Sequence, residues 1–394
     1  MKILINDFGG YAFPVQLSKE LAERGYEVIH TFLDNIKTPH GNMNNGGLKN
    51  LQVIPVSLKS EFRKYNIIGR YKGETEYAGE INNIIGLHKP DIVISANTPL
   101  FTQRLLVKKC KKKKIKFIYW CHDIHSIAIK NILEIKLPRT GKPLSAVFKR
   151  LEISLLKQSD HIISITGDFS QIFEKWGIDT SKLSVINNWA PVNELPVCAK
   201  SNAWSQKLGI TSYTTIVYSG TMGLKHDPNL IVHAAQKLAP DKNIMFIIIS
   251  NGIGAELIKK EKGRLGLENI MVLDFQDYHD LPLILGSADI LISVLEKDAA
   301  MYSVPSKVLT YLCSQRPVVL SVAGFNLSAK IVADANAGIC VNTNELESFA
   351  GALKTLINDK VLRENLGANG RRYAEENFNM SKIADKFIHI IGRL

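Results

Sequence analysis

MKILINDFGGYAFPVQLSKELAERGYEVIHTF, residues 1–32, decides the fold. Residues 2–6 are a short apolar run that predicts a strand, residues 14–24 place apolar side chains at helical spacing up to Gly25, and residues 27–32 begin a second strand. Strand, helix, strand at this spacing is a βαβ unit, whose two strands lie parallel.

The same alternation extends outward. Further strands are predicted at residues 91–95, 117–120, 161–165 and 183–186, and the unbroken apolar run Ile92, Val93 and Ile94 belongs in a parallel sheet covered on both faces. Asn187, Asn188, Trp189, Ala190 and Pro191 then open an irregular stretch to about residue 205, which marks a domain boundary. A second series of strands follows at 215–219, 244–250, 270–273, 290–294, 317–321 and 338–341, separated by helical patterns. The fold class is α/β: two doubly wound Rossmann-like parallel-sheet domains, 1–192 and 205–378, facing across a cleft. The tail from residue 345 reads as helices, with breaks predicted near Gly367 and Gly370 and again at 377–380.

At 394 residues with 45% hydrophobic and 22% charged side chains, the chain suits two globular cores. Cys110, Cys121, Cys198, Cys313 and Cys340 form no CxxC pair or zinc-like spacing, which fits a reducing compartment. Asp7 follows the first apolar residues too soon for a secretory leader, and no uncharged apolar run approaches the ~18 residues of a spanning helix. The net charge of +12 is uneven, with 29 Lys and Arg against 18 Asp and Glu in residues 1–200. Much of the excess lies in Lys108, Lys109, Lys111, Lys112, Lys113, Lys114 and Lys116. That run suits an anionic membrane surface, or equally a solvated helix end. It lacks the interleaved aromatics of a nucleic-acid binder.

Function is sought in the loops after the strands, where parallel sheets bind ligands. Gly9 and Gly10 follow strand one, but not as GxGxxG, so a dehydrogenase gains no support. Gly220, Thr221, Gly223 and Lys225 open the second domain and suit a diphosphate, or a plain strand-to-helix turn with a solvated lysine. Asn251 and Gly252 let a base or phosphate lie against the main chain, or are only a loop. Ser303, Val304, Pro305, Ser306 and Lys307 predict a helix mouth for an anion, because a lysine there opposes the helix dipole and calls for a negative partner. His122 and Asp123 lie just past a buried strand, where a histidine either serves structure or donates to a sugar hydroxyl or departing phosphate. His122 and His125 lack the partner spacing of a zinc site.

The order of segments resembles the family 4 retaining glycosyltransferases of GT-B fold over nearly the whole chain. Tyr218-Ser219-Gly220, Asn251-Gly252-Ile253-Gly254, Leu285-Gly286-Ser287-Ala288-Asp289, Pro305-Ser306-Lys307 and Arg316-Pro317 follow one another as in that family, as do Gln158-Ser159-Asp160 and Asn187-Asn188-Trp189. Pro-Ser-Lys with Asn-Asn-Trp is similar to the branch that builds O-antigens, capsules and colanic-acid-like polysaccharides in bacteria. The resemblance implies a nucleotide-sugar donor, UDP-sugar favoured, a lipid-linked saccharide acceptor, and no metal or cofactor. It implies a cytoplasmic protein peripheral on the inner membrane face, with a final helix, 381–394, packing back on the first domain. Lys225 and the mouth at Lys307 are implied to hold the diphosphate, His122 the donor sugar, and Gly9 and Gly10 to border the acceptor. The family's E-x7-E pair is replaced by Tyr302 and Thr310, and Thr221 stands where an Arg is usual. A non-catalytic partner subunit and a UDP-sugar 2-epimerase share the fold; the epimerase would bring a carboxylate-rich cleft that is not found here.

Overall fold

The computed structural model describes residues 1–36, 40–59, 62 and 67–394. They form two compact units, Met1–Asn188 with Met380–Leu394, and Trp189–Asn379. The first runs β1 (Lys2–Asp7), α1 (Ala12–Glu23), β2 (Glu27–Leu33), β3 (Leu51–Val56), α2 (Ile67–His88), β4 (Ile92–Ala96), α3 (Leu100–Lys113), β5 (Lys116–Cys121), α4 (His125–Lys136), α5 (Gly141–Gln158), β6 (His161–Ser164), α6 (Gly167–Lys175) and β7 (Leu183–Val185). The second runs α7 (Ala203–Lys207), β8 (Thr214–Ser219), α8 (Pro228–Leu238), β9 (Ile244–Ile249), α9 (Ile253–Leu265), β10 (Ile270–Leu273), α10 (Leu281–Gly286), β11 (Ile290–Val294), α11 (Lys307–Cys313), β12 (Val318–Ser321), α12 (Leu327–Asp334), β13 (Gly338–Val341), α13 (Leu346–Asn358) and α14 (Lys360–Asn377). The last helix, α15 (Met380–Ile391), belongs to the first unit, where Phe387 packs on Trp120 and Arg24 of α1 binds Asp385 and the Ser381 carbonyl.

Each unit has one parallel sheet, ordered β3-β2-β1-β4-β5-β6-β7 and β10-β9-β8-β11-β12-β13. Strand order therefore reverses between β1 and β4 and between β8 and β11, and a crevice opens past the carboxyl ends of strands at such a reversal. In the first unit a buried network holds the reversal together: Asn6 Nδ2 donates to Thr98, and Asn6 Oδ1 accepts from Thr31 and Tyr77.

Two elements differ from expectation. β3 was not predicted because Gln52 and Pro55 interrupt its pattern; it is an edge strand, where a residue without an N–H is tolerated. The predicted break at Gly367 and Gly370 does not occur, since α14 runs through both and the chain breaks instead at Asp359, whose side chain caps α14. These glycines serve close packing: a Cβ on Gly367 would lie 2.4 Å from the Gln315 carbonyl oxygen. Gly367→Ala is thus expected to destabilise by about 1–3 kcal/mol from overpacking, outweighing the ~1 kcal/mol that alanine gains as a helix former. A raised denaturation midpoint for this variant would refute the close approach.

Pro99 and Ile124 stand at the cap positions before α3 and α4 and have no side-chain group to cap a helix. Buried carboxylates from neighbouring helices do so instead. Glu74 of α2 accepts from Phe101 N, and Glu152 of α5 accepts from His125 N at 3.0 Å and Ser126 N at 2.9 Å. Burial outweighs these donors and pushes the Glu152 carboxyl up to about 7. A carboxyl raised on folding holds its proton longer than in the unfolded chain, so its contribution to stability declines as pH rises from about 4.5 to about 7. Glu152→Gln turns an NH2 toward one of two amide donors, which costs about 1–3 kcal/mol at pH 7. Melting curves of the variant and wild type should diverge less as the pH is raised from 5 to 7, because only the wild type loses stability through this carboxyl.

Candidate active site

In the second unit the loop after β8 folds over the mouth of α11. Gly220 has φ 132°, and a Cβ there would come within 3.2 Å of Lys307 Cε, so glycine leaves room for the lysine chain to cross the loop. The Lys307 ammonium donates to the Tyr218 hydroxyl and, at 3.3 Å, to the Thr221 carbonyl. Lys225, from the far end of the loop, donates to Ser303 Oγ at 2.6 Å. Burial lowers the Lys307 pKa well below its ordinary value, and the neighbouring Lys225 charge lowers it further. Among the described residues, the hydrogen-bond partners of Lys307 are a phenol and a carbonyl rather than a carboxylate. Two lysines whose charges oppose one another at the strand-order reversal can neutralise a diphosphate, whose binding relieves their repulsion.

The helix mouth differs in detail from its prediction. Lys307 is the first residue of α11, Pro305 is buried two residues ahead of it, and Ser306 occupies the cap position without a side-chain cap bond. Ser303 is turned to Lys225, and its carbonyl accepts from Asn326 at 2.9 Å. Thr310 is half-buried three residues beyond Lys307, hence on the same helix face; Tyr302 is buried and Val304 half-buried. Asn251 and Gly252 have a structural explanation. The Asn251 carbonyl accepts from Met222 N, and Gly252, with φ 113°, has the Met222 carbonyl 3.1 Å from where a Cβ would stand. Met222 thereby laces this loop to the loop holding Gly223. Tyr218 and Tyr311, which the sequence assigned no role, form the frame: Ser219 N donates to Tyr311 Oη at 2.9 Å, and Tyr218 Oη donates to the Thr221 carbonyl at 2.9 Å. Their signal was a phenol at the end of a buried aliphatic strand and another one turn past a lysine.

In the first unit, the ends of β1, β4 and β5 bring together Asp7, Tyr11, Asn97, His122 and Asp123. Gly9 N and Tyr11 N donate to the Asp7 carboxylate at 3.2 and 2.5 Å, and Gly10 N donates to the Asp7 carbonyl at 3.3 Å, so these amides are already engaged. The Tyr11 ring covers Gly9, where a Cβ would collide with it, and Asn97 hydrogen-bonds the Tyr11 hydroxyl. Burial pushes the Asp7 carboxyl up to about 7. His122 lies between Phe13 and Trp120 with ring centroids 5.1 and 4.8 Å away, and its buried Nε2 has no partner among the described residues. Burial pushes its pKa down to about 3, which keeps the ring neutral.

The lysine run ends α3 and starts β5, so it lies at the opposite end of β5 from His122. Its side chains are largely exposed, at a helix terminus whose partial negative charge accommodates them.

Residues 12–194 match the family model described as Glycosyltransferase Family 4, and residues 200–373 match Glycosyl transferases group 1. The chain belongs to the family 4 glycosyltransferases and has their GT-B fold. As a glycosyltransferase it is 24% identical to the putative colanic acid biosynthesis glycosyl transferase WcaI of Escherichia coli K12 over 315 residues, 77% of this chain and 74% of that one. It is also 24% identical, over 276 residues covering 67% and 66% of the two chains, to an E. coli enzyme named UDP-Gal:alpha-D-GlcNAc-diphosphoundecaprenol alpha-1,3-galactosyltransferase. Among solved structures, Anabaena Alr3699/HepE in complex with UDP and glucose superposes with a TM-score of 0.75 at 14% identity, covering 100% of both chains. The glycosyltransferase thus has relatives in bacterial polysaccharide biosynthesis.

Proposed function

We propose that this glycosyltransferase moves a sugar, with retention, from a nucleoside diphosphate carrier, UDP favoured, to a lipid-linked saccharide in bacterial surface polysaccharide synthesis. The convergence of Lys225 and Lys307 at the strand-order reversal of the second unit carries the reading, because it meets the charge of a departing diphosphate without a metal ion. Residues 205–378 are the donor side, with the ribose beside Thr310 and the nucleotide against the Asn251 and Gly252 loop. Residues 1–192 are the acceptor side, where His122 meets the donor sugar and Gly9 and Gly10 border the acceptor. Asp123 adds negative charge beside His122. The UDP in the HepE complex and the donor and acceptor in the galactosyltransferase's name support the choice of substrates.

Calorimetric titration of the full chain with UDP, GDP and ADP, with and without chelator, tests this. UDP is expected to bind in the micromolar range typical of substrates, unaffected by chelator. Binding of none of the three would overturn the reading and favour a non-catalytic partner subunit, consistent with Tyr302 and Thr310 replacing two carboxylates.

A further inference from the structure

We propose that the α4–α5 hairpin docks the protein on a bilayer containing anionic lipid, with the turn between the helices in the headgroup layer. The proposal deepens the lipid-linked acceptor reading and rests on it for the reason to approach a membrane.

The hairpin stands past the carboxyl ends of the strands. α4 begins just after β5, and Glu152 of α5 is level with that start because it caps His125 and Ser126. At the other end, Asp160 N, just after α5, donates to the Phe117 carbonyl near the start of β5. Phe148 meets Phe101, in the first turn of α3, at 5.7 Å. The 18 residues of α5 span about 27 Å, more than the about 20 Å of the 6-residue β5. The difference of about 7 Å is a little over one turn, so the start of α5 extends past the edge where Asp7, Tyr11 and His122 gather. Gly141 closes the turn: its N donates to the Leu137 carbonyl at 2.7 Å, and a Cβ there would lie 2.4 Å from the Leu133 carbonyl oxygen.

The chemistry of the tip suits a lipid interface. Leu137, Leu144 and Val147 are exposed to 37%, 36% and 56%, a degree of apolar exposure that asks for a cover. Arg139, Lys142 and Arg150 are exposed around them. Residues 125–158 hold seven Lys and Arg against two Glu, of which Glu152 is buried as a cap and Glu134 is half-buried, so the exposed charge is cationic. Exposed leucine and valine flanked by lysine and arginine is the composition of an interfacial anchor. Among the described residues no helix is long and apolar enough to cross a membrane. Anchoring here would put the bilayer beside the proposed acceptor pocket, whereas the lysine run lies at the other end of the sheet.

Flotation of the full chain with phosphatidylcholine vesicles, with and without phosphatidylglycerol, tests the surface. The wild type is expected to float with the anionic vesicles. Leu144→Glu with Val147→Glu should lower partitioning about tenfold or more. Arg139→Ala with Lys142→Ala should lower it about 25-fold, about fivefold per cation, and Lys111→Ala, Lys112→Ala and Lys113→Ala together should leave most of it. Wild-type flotation by both hairpin variants, abolition by the lysine-run variant alone, or no binding to either vesicle would overturn the proposal. UDP titration of each protein separates the two readings and reports folding. Flotation without UDP binding sinks the proposed donor reading and leaves the docking surface, and UDP binding without flotation does the reverse.

Discussion

Lys307→Ala is expected to reduce kcat/KM for transfer from a UDP-sugar by about 10²–10³-fold, the loss typical when one preorganised group is removed from a developing negative charge. The ammonium is already in place over Gly220, held by Tyr218 and Thr221, so no reorganisation accompanies charge build-up on the leaving diphosphate. Lys307→Arg should not restore the rate, because a planar guanidinium fork does not reproduce the point contacts that the ammonium makes with the Tyr218 hydroxyl and the Thr221 carbonyl. The lowered pKa adds a second readout. With its pKa below the ordinary lysine value, Lys307 sheds its proton in the empty site as pH rises, and a bound diphosphate draws the proton back. UDP affinity should thus fall with rising pH across that window, with proton uptake visible as a dependence of binding heat on buffer ionisation enthalpy. Lys307→Ala with unchanged turnover and UDP affinity would remove the leaving-group role.

The central strands were legible because both sheets are parallel and their middle strands are buried on both faces, which turns those strands into apolar runs. Ile270–Leu273, Ile290–Val294 and Gly338–Val341 are where the pattern predicts them, and the other predicted strands agree to within one residue at each end. β3 escaped because an edge strand needs neither a full apolar run nor every N–H. Gly367 misled for the opposite reason: taken alone glycine signals a break, and only the distant Gln315 carbonyl explains why it persists inside a helix. In the candidate site the sequence identified the lysines and glycines, since charge and missing side chains stand out in a loop. It could not show that Gly252 answers to Met222, or that Asp7 uses the amides of Gly9 and Tyr11, because those partners are set by tertiary folding. The α4–α5 tip was equally hidden, as periodicity cannot tell an apolar residue facing a core from one left exposed past the end of a sheet.

His122→Phe is expected to lower kcat about 10²-fold while leaving UDP affinity near wild type. Phenylalanine keeps the packing between Phe13 and Trp120 and removes only the ring nitrogens, so a loss reports hydrogen bonding instead of a collapsed pocket. A buried polar atom without a partner costs about 1–3 kcal/mol, and the partnerless His122 Nε2 is a candidate for exchange with a donor-sugar hydroxyl on the proposed reading. Burial keeps the imidazole neutral down to about pH 3, so its role is that of an oriented dipole and the kcat profile should show no limb near 6.5 belonging to it. The same shift fixes a stability signature. A histidine whose pKa is lowered on folding costs the native state progressively as pH falls from about 6.5 toward 3, and the phenylalanine variant should lose less stability on acidification than the wild type. Full kcat in His122→Phe, or an acid limb near 6.5 that vanishes with the substitution, would show that the ring either does not meet the sugar or meets it charged.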